Sequence, residues 1–355
     1  MKQGTQARAI RIGEATIGPG HPTFVIAEMS GNHGGRLDRA LEIVRAAARS
    51  GADALKLQTY TADTITLDSD GDDFQLQSGP WQSHRRLWDL YDAAHTPWDW
   101  HEPIFREARA LGLEVFSSPF DESAVDLLES LGGTAYKIAS PEINHIPLLR
   151  RVARTGKPVI LSTGLARRED IELALETLRG GGAREIVLLQ CTTAYPAPAE
   201  ETDLLTIPDM ARRFGVLSGL SDHSTGTAVA VAAVALGARV IEKHFTLDGG
   251  EETVDSFFSL GEQEFTRLVA DIREAEKALG RVSYDIAPSA VGNLRGMRSL
   301  YVCAPVAAGE AITAANIRCV RPSFGLHPRH YEEVLGRRAR RHLAAGDRLR
   351  LEDLE

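Results

Sequence analysis

The chain has 355 residues, of which 43% are hydrophobic and 25% are charged, and its formal net charge is -9. This composition excludes a disordered chain, because it supplies enough apolar surface for a large core. The acidic balance argues against a nucleic-acid partner, since phosphate backbones are bound mainly by an excess of Lys and Arg. The length exceeds one ordinary domain and fits a barrel of roughly 250 residues with a small appended domain.

Cysteine usage and hydropathy bear on the cellular location of the protein. Cys191, Cys303 and Cys319 are far apart and form no C-x-x-C pair, so neither a disulfide framework nor a zinc cluster is indicated. No apolar run approaches the roughly 18 residues of a membrane span, and residues 1–20 lack the apolar core of a signal peptide. We therefore expect a cytoplasmic protein without a membrane partner. The basic run at 337–341 stands alone and is expected to be solvated surface.

Short apolar runs alternate with longer amphipathic runs over most of the chain. This rhythm predicts parallel strands joined by crossover helices. Strands are predicted at 24–29, 54–58, 114–118, 135–139, 159–162, 186–191, 216–221 and 240–245. Helices are predicted between them, for example at 36–50, 121–131, 169–179, 226–236 and 262–279. Eight such units predict a TIM (β/α)8 barrel.

The pattern changes after Gly280, where the alternation of strands and helices stops. Short strand-like runs and glycine turns then continue to the last residue. We therefore predict a barrel domain over residues 1–280, a linker over 281–298 and a small β-rich domain over 299–355. A second irregular stretch, at 61–110, is too long for one barrel connection and is rich in aromatic residues. It is predicted to be a lid over the barrel mouth or, alternatively, a packed helical decoration.

Polar residues end most of the predicted strands, and in a parallel barrel all the strand ends meet at one mouth. Lys56, Lys137 and Lys243 lie on three of the strands. Hydroxyl residues accompany them at Ser118, Ser140, Ser162, Thr163, Thr193 and Ser221. Ammonium and hydroxyl donors together suit a ligand with a phosphate and a carboxylate, such as phosphoenolpyruvate. The alternatives are a Schiff-base role for Lys137 or Lys243 and salt bridges within the barrel.

Two histidines lie at the ends of neighbouring predicted strands. His223 and His244 would then face the same opening and could form an open half-site for zinc, manganese, iron or cobalt. Two hydrogen-bonded structural histidines are the alternative. Asp222 and Glu242 precede these histidines closely and are predicted to orient the imidazoles.

Three carboxylates also follow apolar strand residues or a glycine-rich turn. Glu28, Glu142 and Asp255 could orient sugar hydroxyls or move a proton. Helix capping is the alternative for each, since an acid after a strand often begins a helix.

Seven motifs occur in order along the barrel region. They are A-E-M-S-G-N-H from Ala27, K-L-Q from Lys56, S-S-P-F-D from Ser117, Y-K-I-A-S from Tyr136, L-S-T-G from Leu161, G-L-S-D-H from Gly219 and E-K-H-F-T from Glu242. Together they resemble the N-acetylneuraminate synthase family. The segments R-S-L-Y-V from Arg298, R-P-S-F-G-L-H-P from Arg321 and L-G-R-R-A from Leu335 resemble the family's antifreeze-like (SAF) domain. The resemblance implies a TIM barrel followed by that domain.

The resemblance also implies a reaction, in which phosphoenolpyruvate condenses with an amino sugar and releases phosphate. The first motif, the stretch from Leu87 and D-S-F-F-S at Asp255 are most similar to the branch that uses a diacetamido trideoxy hexose, 2,4-diacetamido-2,4,6-trideoxy-L-altrose. The branches using N-acetylmannosamine or the legionaminic precursor are the nearest alternatives. A non-catalytic glycan-binding protein is a remote one.

Site roles follow from the same resemblance. It implies that His223 and His244 hold a divalent metal, Mn2+ first and Mg2+ or Co2+ as substitutes, which polarises the sugar aldehyde. The implied phosphate ligands are Lys137, Ser140, Ser162, Thr193 and Ser221, and the implied carboxylate ligands are Lys56, Gln58 and Ser118. The residues implied to face the sugar are Glu28, Glu142, Tyr195 and Asp255. Glu28, Glu142 and Lys137 are expected to be catalytic together with the two histidines.

The resemblance further implies a domain-swapped homodimer, in which Arg321 reaches the partner's substrate. Two positions depart from the family pattern. Gly34 stands where an asparagine often follows N-H, and Thr193 stands where the sialic-acid branch has asparagine. The second departure predicts a shorter hydroxyl donor for the phosphate.

Overall fold

The computed structural model describes residues 8–249 and 252–355. The chain divides into two units, Met1–Gly280 and Arg281–Glu355. The first begins with an antiparallel hairpin of β1 (Ile10–Ile12) and β2 (Ala15–Ile17). The sequence pattern did not predict this hairpin, because strands of three residues are too short to show a period.

Eight parallel strands close into a barrel, in which the last strand pairs with the first. They are β3 (Phe24–Glu28), β4 (Ala54–Thr59), β5 (Glu114–Pro119), β6 (Tyr136–Ile138), β7 (Val159–Ser162), β8 (Ile186–Cys191), β9 (Leu217–Asp222) and β10 (Val240–His244). Each lies within one residue of its predicted position at either end. The predicted TIM (β/α)8 barrel is therefore confirmed.

Ten helices accompany the barrel strands within the described residues. They are α1 (Leu37–Arg49), α2 (Ala62–Ile65), α3 (Leu87–Ala94), α4 (Trp98–Ala110), α5 (Glu122–Ser130), α6 (Ile146–Ala153), α7 (Arg168–Gly180), α8 (Thr206–Phe214), α9 (Ala228–Ala235) and α10 (Glu262–Leu279). In α1 the buried residues Ala40, Ile43, Val44 and Ala47 recur at helical spacing and face the strands. Asp121 begins α5 by accepting hydrogen bonds from the backbone N–H groups of Ser123 and Ala124.

The apolar core has two layers. One layer lies between the strands and the surrounding helices, and the other fills the interior of the barrel. Ile12 and Ile17 of the hairpin belong to the inner cluster with Phe24 and Val240, which begin β3 and β10. The hairpin therefore closes the amino-terminal end of the barrel, and the opposite end is left for polar side chains.

The long connection between β4 and β5 has two parts. Its last part, α4, packs against α1 and β5 and is the ordinary crossover helix of this barrel unit. The remainder carries α2, α3 and two short 3-10 turns, Asp72–Phe74 and Gln82–His84. The sequence pattern treated 61–110 as one irregular stretch, because α4 contains Pro103 and follows α3 after only three residues.

The second unit has its own apolar core, built from residues such as Leu300, Val302, Val306 and Ile317. Its two strands, β11 (Ser299–Val302) and β12 (Ile317–Val320), pair antiparallel. Three 3-10 segments, Pro288–Gly296, Pro328–His330 and Leu351–Asp353, and a short helix, α11 (Tyr331–Val334), complete its regular structure among the described residues. No helix within residues 8–249 and 252–355 is long and apolar enough to cross a membrane.

Candidate active site

Strand alternation brings the polar residues to one place. Every second residue of a barrel strand faces the axis. Ile26 and Val240 belong to the inner apolar cluster, so Glu28 and Glu242, two residues further along the same strands, also face inward. The same parity directs other side chains to the interior near the carboxyl end, namely those of Lys56, Gln58, Ser118, Lys137, Ser162, Cys191, Ser221 and His244.

Glu242 is the centre of a buried charged cluster. Its Oε1 lies 3.0 Å from Lys137 Nζ and 3.6 Å from Lys56 Nζ, and it accepts a hydrogen bond of 3.1 Å from Ser221 Oγ. Lys56 Nζ also lies 2.8 Å from Glu28 Oε2. All four charged side chains are 5% exposed or less. Two ammonium groups are thus held side by side at the barrel axis by two carboxylates.

The charges of this cluster shift one another's pKa values. Burial raises the pKa of Glu242, but the charges of Lys137 and Lys56 outweigh burial and lower that pKa to about 2. Burial lowers the pKa of Lys137, and burial also raises the pKa of Glu28. Burial opposes the charge on Lys56, yet Glu242 and Glu28 raise the pKa of that lysine. The cluster therefore keeps Glu242 ionised at neutral pH, and its two carboxylates favour the charged form of Lys56.

Several hydroxyl groups lie at the same end of the barrel as the two lysines. Lys56 Nζ donates a hydrogen bond of 3.3 Å to Ser118 Oγ. Ser162 Oγ is buried and has no hydrogen-bond partner in the described part of the chain. Ser140 Oγ and Thr193 Oγ1 lie near Gly164, where a Cβ would come within 3.1 Å and 2.3 Å of them. A free buried hydroxyl beside lysines is a donor available to an anion.

The two histidines lie at the same end of the barrel. Their ring centroids are 5.3 Å apart. His223 Nδ1 lies 2.9 Å from the Thr192 carbonyl oxygen, which can only accept, so Nδ1 carries a proton and the neutral ring has its lone pair on Nε2. Burial opposes the charge on His223, but Cys191 and the Thr192 carbonyl outweigh burial and raise the pKa of this ring. Burial lowers the pKa of His244 well below its ordinary value, so this ring is neutral. Its Nδ1 is buried without a hydrogen-bond partner among the described residues.

In their neutral forms these two rings are suitable ligands for a divalent metal, since imidazole nitrogen binds zinc, manganese, iron and cobalt. In residues 8–249 and 252–355, no group of three or more His, Cys, Asp or Glu side chains is placed to hold a metal together. The donor set therefore fits an open site, which water or substrate oxygen would complete.

Glu142 differs from the other carboxylates. It lies in a 3-10 turn, Ser140–Asn144, directly after β6. Burial raises the pKa of Glu142 to about 7. Its Oε2 atom is buried and accepts no hydrogen bond from any residue that the structure describes. A carboxyl group with this pKa exchanges its proton near neutral pH, as a general acid or base requires.

Aromatic side chains form one wall of the mouth. The ring of Tyr195 lies 4.5 Å from that of His223, 5.3 Å from that of Trp81 and 4.9 Å from that of Phe258, measured between centroids. Trp81 Nε1 donates a hydrogen bond of 2.7 Å to the Val254 carbonyl oxygen. The segment before α3 therefore contacts Tyr195, which packs on His223, as a lid over the mouth would.

A chain of hydrogen bonds links this wall to the charged cluster. Gln58 Nε2 donates to Glu28 Oε1 and to Ser30 Oγ, both at 3.0 Å. Ser30 Oγ in turn donates to Asp255 Oδ2 at 2.5 Å. Burial raises the pKa of Asp255. Glu28, Gln58 and Asp255 are thus held in one network.

The predicted site is corrected at three residues. Lys243 does not join the other lysines, because it faces the outer side of β10 and pairs with Asp222. Asp222 and Glu242 do not orient the imidazoles, since their hydrogen bonds go to Lys243 and Ser224 and to Lys137 and Ser221 respectively. The Thr192 carbonyl orients His223 instead. Arg321 lies in the second unit, directly after β12.

Several site residues escaped the sequence reasoning. Cys191 lies with its Sγ 3.8 Å from both Thr193 Oγ1 and His223 Nδ1, and Ser30, Phe258 and Gly164 line the same region. Cys191 ends β8 and lies two residues after Leu189, which belongs to the inner apolar cluster. Strand alternation is therefore the one signal that could have identified Cys191.

The closed parallel barrel, with its charged and imidazole-bearing carboxyl end, defines the class of (β/α)8-barrel enzymes. The chain belongs to the NeuB family, whose model matches residues 43–284. The model of the SAF domain matches residues 297–355, which confirms the antifreeze-like domain.

Similar proteins span nearly the whole chain. The pseudaminic acid synthase of Campylobacter jejuni strain 81-176 is 44% identical over 93% of this chain and 96% of its own length. The pseudaminic acid synthase of Helicobacter pylori strain 26695 is 42% identical over 94% of this chain and 98% of its own. Among solved structures, the spore coat polysaccharide biosynthesis protein SpsE of Bacillus subtilis aligns with a TM-score of 0.67 at 35% identity, over 98% of this chain and 99% of that one.

Proposed function

We propose that this protein is a pseudaminic acid synthase. It condenses phosphoenolpyruvate with 2,4-diacetamido-2,4,6-trideoxy-L-altrose and yields pseudaminic acid and phosphate, as a transferase. The observation that carries the proposal is the 42–44% identity to pseudaminic acid synthases over 93% or more of the chain. The buried lysine pair supports it, because a substrate with a phosphate and a carboxylate needs two cationic donors.

Phosphoenolpyruvate binds at the charged cluster. Lys137 and the hydroxyls of Ser140, Ser162, Thr193 and Ser221 hold its phosphate, and Lys56, Gln58 and Ser118 hold its carboxylate. Glu242 keeps both ammonium groups at the axis, since its Oε1 contacts each of them and Ser221 as well. Fixed donors of this kind stabilise charge without reorganising during the reaction.

The sugar binds above this cluster, against Glu28, Glu142, Tyr195 and Asp255. A divalent ion held by His223 and His244, Mn2+ by preference with Mg2+ or Co2+ as substitutes, supplies Lewis-acid polarisation of the sugar aldehyde when bound. Tyr195 packs on the His223 ring and gives the sugar an apolar surface.

The reaction forms one bond and breaks another. C3 of phosphoenolpyruvate attacks the aldehyde carbon, and the aldehyde oxygen takes a proton from Glu142. Water attacks the electron-deficient C2 centre and gives one proton to the Glu142 carboxylate that the first step left behind. The C–O bond to the phosphate then breaks, phosphate leaves with the proton of the new C2 hydroxyl, and the keto acid remains. Lys137 stabilises the leaving phosphate, and Glu28, bonded to Gln58 and Lys56, holds the sugar side of the site in place.

The test is phosphate release from phosphoenolpyruvate by metal-stripped protein with Mn2+ restored. Three sugars are compared: the altrose-type diacetamido sugar, its legionaminic counterpart and N-acetylmannosamine. Selective turnover of the first is expected. Preference for either other sugar would keep the family chemistry and reassign the substrate, and no release with any of them would contradict a synthase.

We also propose that the enzyme is a cytoplasmic, domain-swapped homodimer, in which Arg321 of one subunit serves the other subunit's site. Guanidinium can donate to an acyl carbonyl of the sugar while it stays charged. Light scattering coupled to gel filtration is expected to give twice the mass of the chain. Mixing an Arg321→Ala variant with an inactive His244→Ala variant is expected to restore part of the activity, because hybrid dimers would contain one complete site.

Gly164 offers a probe of the phosphate position. Its Cβ would lie 2.3 Å from Thr193 Oγ1, 3.0 Å from Cys191 Sγ and 3.1 Å from Ser140 Oγ. Gly164→Ala is therefore expected to push these hydroxyls away and to raise the KM for phosphoenolpyruvate by about 10- to 100-fold, as for the loss of a hydrogen bond to a charged group. Steady-state kinetics with each substrate varied in turn measures this. The KM for the sugar should stay unchanged.

The matched control is Gly180→Ala. Gly180 ends α7, and a Cβ at this position meets no atom within 4 Å. This variant should keep both KM values. An unaltered KM for phosphoenolpyruvate in Gly164→Ala would remove Ser140 and Thr193 from the phosphate site.

A further inference from the structure

Lys243 lies between two residues of the candidate site but faces away from it. Glu242 and His244 point into the barrel, and successive residues of a strand point to opposite sides. Lys243 therefore projects between the strands and the surrounding helices. Its side chain is only 1% exposed, as is that of Asp222. A buried lysine outside the reaction chamber requires another explanation than substrate binding.

The contacts of Lys243 converge on one short segment. Nζ lies 2.7 Å from Asp222 Oδ2 and donates a hydrogen bond of 2.6 Å to the Ser224 carbonyl oxygen. Asp222 Oδ1 accepts hydrogen bonds from Ser224 N at 2.9 Å and from Ser224 Oγ at 2.6 Å. We call Lys243, Asp222 and Ser224 the Lys243 clamp. Asp222 and Ser224 are the residues immediately before and after His223.

His223 needs such an anchor because it lies beyond the regular ladder. Strand β9 ends at Asp222, and the register pair of Lys243 with Asp222 is the last that β9 makes with β10. His244, in contrast, is paired directly with Glu28 in the barrel ladder. Other than the clamp, His223 is fixed by the hydrogen bond of Ala197 N to its carbonyl oxygen, at 3.0 Å, and by the bond of its Nδ1 to Thr192.

We propose that Lys243 is a positioning residue for His223, and that it sets the distance between the two imidazoles. Its ammonium group holds the Asp222 carboxylate on one side of His223 and the Ser224 carbonyl oxygen on the other, and His244 is the next residue on its own strand. A metal site tolerates displacements of only about 0.5 Å, so this link determines metal affinity. The inference rests on the proposed metal role of the two histidines.

The experiment measures Mn2+ binding to the full-length protein without substrates, by electron paramagnetic resonance or calorimetry. Removing Lys243 alone would leave Asp222 buried and unpaired, which is strongly destabilising. The principal variant is therefore the double replacement Asp222→Asn/Lys243→Met, in which an amide oxygen still caps Ser224. Its Kd for Mn2+ is expected to rise by about 10- to 100-fold, the usual effect of losing a residue that supports a metal ligand.

Two further variants test whether the loss of Mn2+ affinity is specific to the Lys243 clamp. The matched control is Glu129→Gln/Lys157→Met, which removes a second lysine–carboxylate pair, one that joins Lys157 to Glu129 near the end of α5. It should bind Mn2+ like the wild type. Asp222→Asn/Lys243→Gln is the milder variant, because it leaves no buried unpaired charge and both amides can still form hydrogen bonds, and its Kd should rise by a smaller factor. Circular dichroism shows whether each variant is folded.

A folded double variant with wild-type Mn2+ affinity would overturn the proposal, even if its Tm were lower, because stability alone would then be the role of Lys243. The wild type and His223→Ala are titrated first. If the wild type bound no Mn2+, or if His223→Ala bound it equally well, the metal role itself would fail and the inference with it. These titrations come before any clamp variant is made, so failure of the metal role can be distinguished from failure of the proposal about Lys243.

Discussion

Replacement of His244 with alanine is expected to reduce kcat for Mn2+-dependent phosphate release by about 1000-fold or more, which corresponds to a loss of about 4 kcal/mol of transition-state stabilisation. His244 is buried, its ring is neutral because burial lowers its pKa, and its Nδ1 has no hydrogen-bond partner in the described part of the chain. Its loss removes one of two imidazole ligands. His223 would then be the one imidazole left at the site among the described residues, which is too few protein ligands to hold the ion.

The measurement is phosphate release over a Mn2+ titration, combined with the metal content of the purified protein. His21→Ala is the control, because His21 is exposed and precedes the barrel strands. It should retain wild-type kcat and metal content. An active His244→Ala enzyme with wild-type metal content would show that the histidine pair is structural, which is the alternative that the sequence left open.

Replacement of Glu142 with glutamine is expected to reduce kcat by about 100- to 10,000-fold, the usual contribution of a general acid. Glutamine has the same shape and can still form hydrogen bonds, but it has no proton to transfer. The prediction follows from the burial that raises the pKa of Glu142 to about 7 and from the absence of a partner for Oε2 among the described residues. Binding of phosphoenolpyruvate should change little.

The raised pKa of Glu142 predicts the direction in which kcat/KM changes with pH. Because the pKa of Glu142 is raised to about 7, the carboxyl group keeps its proton below pH 7 and loses it above. A general acid must be protonated, so kcat/KM of the wild type should fall as the pH rises through 7. Glu142→Gln should lose this inflection. Persistence of the same falling limb in the variant would assign the titration to another group.

The control for this experiment is Glu122→Gln. Glu122 also follows a barrel strand, β5, but it is exposed and begins α5. It should keep both kcat and the pH profile. Together the two variants separate a buried catalytic carboxyl group from an ordinary acid at the start of a helix.

Much of the barrel was predictable because its signals are local. Apolar runs of four to six residues that alternate with amphipathic runs placed all eight strands within one residue, and α10 was predicted with its observed bounds. The hairpin β1–β2 and the break between α3 and α4 were missed, since three-residue strands and a helix containing Pro103 carry weak periodic signals. The inward positions of Lys56, Lys137 and His244 agree with the prediction that strand ends form one polar mouth.

Which strand side chains point inward and which point outward could be assigned only from the closed barrel. In an amphipathic sheet the polar residues mark the solvent face, but strands of a parallel barrel are buried on both faces. In β10, Val240 and Ile241 are both apolar and Glu242, Lys243 and His244 are all polar, so the sequence contains no contrast between inside and outside.

The sequence by itself therefore determined the number of strands, their positions and the chemical types available at the mouth, because these depend on residues close together in the chain. Closure of the barrel decided that Glu242 joins Lys56 and Lys137, while Lys243 turns outward to Asp222. The Thr192 carbonyl that orients His223 lies 31 residues away in the chain. Such contacts depend on strand parity and on which strands become neighbours, and both are properties of the folded barrel.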